Sequence, residues 1–64
     1  MRNNIKLKCI ASPIKGKFIV GKVYDACEGW YDADAGEIEM RVYDNNDNRC
    51  RFRDFDWTKY FEEV

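Results

Sequence analysis

Arg49, Arg51 and Arg53 stand at alternate positions of RCRFR, so an extended backbone places three guanidinium groups on one face. Such a stripe can neutralise phosphate, above all with a stacking aromatic beside it, or meet carboxylates on a protein. Trp30 and Tyr31 form a second group, an aromatic pair next to Asp32 and Asp34 in GWYDADAG. Aromatics exposed among charges are typical hot spots of protein contact; folded over a barrel end, the same pair would be core. The acid pairs Asp32/Asp34 and Asp54/Asp56 lack the glycine and distal glutamate of a calcium-binding loop. They read as solvated loop acids and as a cap for a helical turn. The chain has no histidine and no nucleophile motif, so enzymatic activity and a cofactor are not expected. Cys9, Cys27 and Cys50 form no CxxC; with histidine absent they read as reduced thiols rather than zinc ligands.

The elements that must position these groups are short strands. Ile38, Met40 and Val42 alternate with Glu39, Arg41 and Tyr43, and Cys50 and Phe52 alternate with the three arginines. Period two predicts half-buried strands over 38–43 and 49–53, joined through the turn-forming run DNNDN. Opposed residues of antiparallel strands share a face, so the apolar positions demand the pairs Val42–Cys50 and Met40–Phe52. A three-residue loop, 45–47, with one left-handed residue and a bulge, meets that demand. A five-residue loop keeps the same pairing. On the outer face the register sets Glu39 opposite Arg53, Tyr43 opposite Arg49, and Arg41 opposite Arg51, the last an unfavourable like-charge pair.

Further strands are predicted over 4–10 and 22–28, with Tyr24 and Ala26 inward, and over 61–64. Residues 11–17, with Pro13 and Gly16, read as a loop, as do residues 29–36. Gly21, after the apolar run 18–20, suggests a turn or bulge into the second strand. Phe55, Trp57, Tyr60 and Phe61 fit neither period; a short 3-10 turn capped by Asp54 or Asp56 accounts for them, its aromatics closing the barrel and Trp57 buried.

Sixty-four residues make one domain, 1–64, with a small core: a chain of this size buries about 60% of its unfolded surface. Ten aromatics partly compensate. Charge is unevenly laid out. Residues 1–22 carry six cations and no acid, and residues 23–47 carry eight acids against Arg41. Cross-strand complementarity accounts for this plainly; a bipolar surface that selects a charged partner is the sharper reading. No apolar run approaches the roughly 20 residues of a membrane helix, and the polar start MRNNIKLKC carries no secretory signal. A cytoplasmic protein that does not enter membranes is expected.

The segments IKLKCI, FIVGKVYDA, RFRDF and YFEEV, in that order, resemble a group of very small bacteriophage and prophage proteins of mostly unassigned function. The resemblance runs over nearly the whole chain. It implies an all-β fold, a small five-stranded SH3-like barrel with a short 3-10 turn before the last strand, and a viral origin in the bacterial host cytoplasm. The ALYDY and proline–tyrosine motifs of the eukaryotic peptide-binding domains of that fold are absent, so polyproline recognition is not expected.

These readings converge on a small non-enzymatic module that binds or inhibits a host or phage protein through Trp30, Tyr31, Asp32, Asp34, Tyr43, Arg49, Arg51 and Arg53. The alternative is a nucleic-acid-binding barrel using the arginine stripe, or one whose acidic stretch 25–39 imitates nucleic acid. An open strand edge leaves both a monomer and a weak homodimer in view.

Overall fold

A computed structural model of the chain describes residues 2–53 and 55–64. Five antiparallel strands, β1 (Ile5–Cys9), β2 (Val23–Asp32), β3 (Glu37–Tyr43), β4 (Arg49–Arg53) and β5 (Phe61–Glu63), form one sheet in the order β4-β3-β2-β1-β5. A 3-10 turn, Asp56–Lys59, lies between β4 and β5. Among the described residues no helix is long and apolar enough to cross a membrane.

Alternation in the sequence becomes alternation in the sheet. Ile5, Leu7 and Cys9 of β1 are buried, and Ile5 and Leu7 stand opposite Ala26 and Tyr24, which are inward as expected. Met40 and Val42 continue this face on β3, and Cys9 meets Phe61 of β5. Phe18 reaches the same core from the β1–β2 connection, while Ile19 and Val20 beside it are exposed. Its ring stands edge-on to Tyr24 at 5.0 Å and to Phe61 at 5.1 Å; Phe52 meets Phe61 at 5.7 Å. Edge-to-face rings pair the positive rim of one with the negative face of the next. Burying each large apolar side chain here contributes about 1.5–3 kcal/mol before entropy is counted.

The central hairpin has the expected register: Val42 pairs with Cys50, Met40 with Phe52, Glu39 with Arg53, Arg41 with Arg51 and Tyr43 with Arg49. Its loop is the three-residue form. Asp44 N–H donates to Asn48 O at 3.0 Å, Asp47 N–H donates to Asp44 O at 3.1 Å, and Asp47 is left-handed at φ 59°. Asp44 is buried, and its Oδ1 accepts the N–H groups of Asn46 at 2.8 Å and Asn48 at 2.9 Å. The side chain therefore satisfies backbone donors that the turn leaves over.

Several expectations are corrected. Residues 29–32 are not loop: β2 runs on to Asp32, with a bulge between Trp30 and Asp32, and only residues 33–36 turn. The glycine-aromatic-acid composition suggested a loop, but pairing with β3 overrides local preference. Ile38 lies on the inner face yet is 39% exposed, because it sits past the end of the core. Phe55 is 77% exposed and closes nothing; Trp57 and Tyr60 are half-buried against the core. Phe55, not Asp56, occupies the cap position of the 3-10 turn, with no side-chain cap, and Asp54 lies outside the described residues.

Candidate interaction surface

The outer face of β2, β3 and β4 is built around a buried carboxylate. Glu39 is 1% exposed, although the strand pattern places it on the side away from the core. Arg41 Nε donates to its Oε1 at 2.6 Å and Arg51 Nε to its Oε2 at 2.7 Å. The expected repulsion of Arg41 and Arg51 is thus corrected: one carboxylate bridges both guanidinium groups. Gly29, opposite Glu39, makes room for this arrangement. A Cβ at that position would overlap the Arg41 guanidinium. Burial by itself pushes the Glu39 carboxyl up; hydrogen bonds from Arg41 and Arg51, and then their charges, more than offset this and hold it below the ordinary glutamate value.

Tyr31 lies on the same outer face. Arg53 stands 4.6 Å from its ring centre and Arg51 5.7 Å, so two cations share one aromatic surface. Arg53 Nη2 also donates to both oxygens of Glu37 at 2.7 Å. Tyr43 stands across from Arg49 at the other end of β4. Tyr31, Tyr43, Arg49, Arg51 and Arg53 are therefore gathered on one face.

Trp30 and Asp34 are not gathered with them. Trp30 stands opposite Ile38 on the other face of the sheet and is 50% exposed, so the aromatic pair is split between two faces. Asp32 belongs to the turn: its Oδ1 accepts the N–H groups of Asp34 at 3.1 Å and Ala35 at 3.3 Å. Asp32 thus caps backbone, as Asn and Asp commonly do in turns.

Beside Ile38 a cleft of 240 Å³ opens, lined by Arg2, Glu28, Ile38, Met40, Phe55 and Trp57 among others. Arg2 N–H donates to Glu28 Oε1 at 3.0 Å, and the Arg2 guanidinium pairs with Glu63. Lys6 pairs with Asp25 across β1 and β2, so much of the segregated charge is cancelled between strands. Ile38, Phe55 and Trp57 were not foreseen as site residues. The available signal was Phe55, an aromatic in a segment that fits neither strand nor helix periodicity.

All three cysteines are free thiols, Cys9 buried, Cys27 and Cys50 half-buried. Burial pushes the Cys9 thiol up, and burial followed by the Asp44 charge does the same to Cys50. Compared with family models, with curated proteins and with solved structures, the chain finds no match.

Proposed function

We propose that this chain is a small, non-enzymatic protein-interaction module with an SH3-like barrel fold, phage-encoded and acting on a host or viral protein in the bacterial cytoplasm. The strand order β4-β3-β2-β1-β5, the long β1–β2 connection and the 3-10 turn before β5 support the barrel reading. The viral origin rests on the sequence resemblance. The observation that carries the function is a set of large apolar side chains left exposed: Ile38 and Phe55, which line a 240 Å³ cleft, and Trp30, the cross-strand partner of Ile38. Grouped exposed apolar surface on so small a protein marks a contact site. A tagged chain captures its partner from host lysate in the expected result, and Trp30→Ala together with Phe55→Ala releases it while the circular dichroism spectrum persists. Retention of the partner by a folded double variant overturns the reading.

The nucleic-acid alternative draws on Tyr31 between Arg51 and Arg53. Against it, Glu39 and Glu37 already offset part of the charge of these arginines. A gel shift at low salt with single- and double-stranded DNA and RNA decides between them; nucleic-acid binding would be strongly salt-sensitive.

A further inference from the structure

β4 is the end strand of the sheet, paired with β3 and with no strand paired on its other side among the described residues. Which of its backbone groups face outward follows from the loop. The bond from Asp44 N–H to Asn48 O makes 44–48 a hydrogen-bonded pair. Such pairs alternate along an antiparallel ladder, so Val42–Cys50 and Met40–Phe52 are hydrogen-bonded and Tyr43–Arg49 and Arg41–Arg51 are not. The N–H and C=O groups of Arg49 and Arg51 therefore point off the sheet edge. The same residues carry their guanidinium groups on the outer face. Arg49 makes no ion pair among the described residues and is the freer of the two. Arg51 is half-exposed, its Nε bonded to Glu39 and its guanidinium 5.7 Å from the Tyr31 ring centre, with its terminal nitrogens left for a further carboxylate.

We infer that the β4 edge receives an extended segment of a partner protein as a sixth strand, with carboxylates at alternate positions facing Arg49 and Arg51. The added backbone satisfies the outward N–H and C=O groups, and side chains directly across an antiparallel pair approach within about 4.5–5.5 Å. Acids across from Arg49 and Arg51 then form ion pairs. The intervening side chains fall beside Cys50 and Phe52 on the core face and are apolar for that reason. A second copy fits poorly. Antiparallel β4–β4 pairing about Arg51 sets arginine against arginine. β5 offers Glu62 and Glu63 at consecutive positions, hence on opposite faces, with one carboxylate toward the arginines.

This inference rests on the interaction-module reading and names a second surface for it. The test uses the full chain, labelled with nitrogen-15, and a terminally blocked octapeptide alternating glutamate and valine. The expected result is slowed hydrogen exchange at the Arg49 and Arg51 amides, with binding about tenfold weaker for Arg49→Glu, a position whose arginine makes no ion pair among the described residues. A lysine–valine octapeptide does not bind. An alternating peptide N-methylated on its inward-facing amides loses binding, which separates strand addition from simple charge attraction. No protection at millimolar peptide, or equal binding of the lysine peptide, overturns the inference. So does protection that appears without peptide and grows with protein concentration, which assigns the edge to a second copy. A cellular partner released by Trp30→Ala but retained by folded Arg49→Glu keeps the module reading and overturns the edge.

Discussion

Arg51 donates from Nε to Oε2 of Glu39 at 2.7 Å, although the strand register places Glu39 across from Arg53. The contact is diagonal, and with the bond from Arg41 it holds a carboxylate out of water on the face that does not belong to the core. Removing one member of a charged, buried hydrogen-bonded set leaves the others without partners. Glu39→Gln is expected to lower stability by about 1–3 kcal/mol in urea unfolding, toward the low end because Arg51 can turn to solvent.

The same group sets an acid limit. Its folded pKa lies below the ordinary value, so the unfolded chain takes up the proton first as pH falls. The stabilisation is full above the unfolded value of about 4.3 and is lost as pH falls through the lower folded one. Glu63, held below its ordinary value by the Arg2 hydrogen bond, acts in the same direction from an exposed site. Unfolding midpoints measured from pH 6 down to pH 2 should fall, with a shallower slope for Glu39→Gln.

At the hairpin loop two aspartates are expected to answer in opposite directions. Asp47 is left-handed, where glycine has no Cβ penalty, so Asp47→Gly should stabilise by up to about 1 kcal/mol. Asp44 is buried and accepts two backbone N–H groups, so Asp44→Ala should cost about 1–3 kcal/mol. Chemical denaturation of the two variants side by side checks both signs.

Tyr24 ties the long connection to the hairpin. Its hydroxyl accepts the Ile19 N–H at 2.7 Å and donates to Asn45 Oδ1 at 2.7 Å. Tyr24→Phe keeps the ring in the core and removes both bonds, at a cost of about 1–2 kcal/mol. Hydrogen exchange at the Ile19 amide should accelerate more than exchange at the Leu7 amide in β1.

Thiol labelling should proceed in a fixed order. Cys27 is half-buried on the outer face across from Arg41, Cys50 is half-buried with its thiol pushed up, and Cys9 is buried and pushed up. The thiolate is the reactive form, so mass spectrometry after a brief alkylation should find Cys27 modified first and Cys9 last.

The alternation of Ile38–Val42 and of Cys50–Phe52 was enough to place the hairpin and all five residue pairs, while the choice between a three- and a five-residue loop fell to the backbone bonds of Asp44. A strand has a side-chain period of two, and one slipped residue would turn Arg49 or Arg51 into the core, so local pattern and register are the same information. The inward choice of Tyr24 and Ala26 followed for the same reason. The 3-10 turn was legible from aromatics that match no strand period, although its cap was not.

Other features depended on groups distant in the chain. Residues 29–32 become strand because β3 pairs with them, against a composition that favours a loop. Glu39 is buried because Arg41 folds over Gly29 while Arg51 reaches in from β4, a diagonal that no spacing announces. Trp30 and Tyr31, neighbours in sequence, face opposite ways because successive strand residues do. Periodicity shows that alternation but not which face the core will cover, nor how far it extends. That limit of the core leaves Trp30 exposed and Ile38 and Phe55 lining an open cleft, while Tyr31 lies among arginines on the other side. Side-chain parity is a local property of the backbone and can be read from sequence. Burial is a property of what packs against a face, and here only the folded sheet decides it.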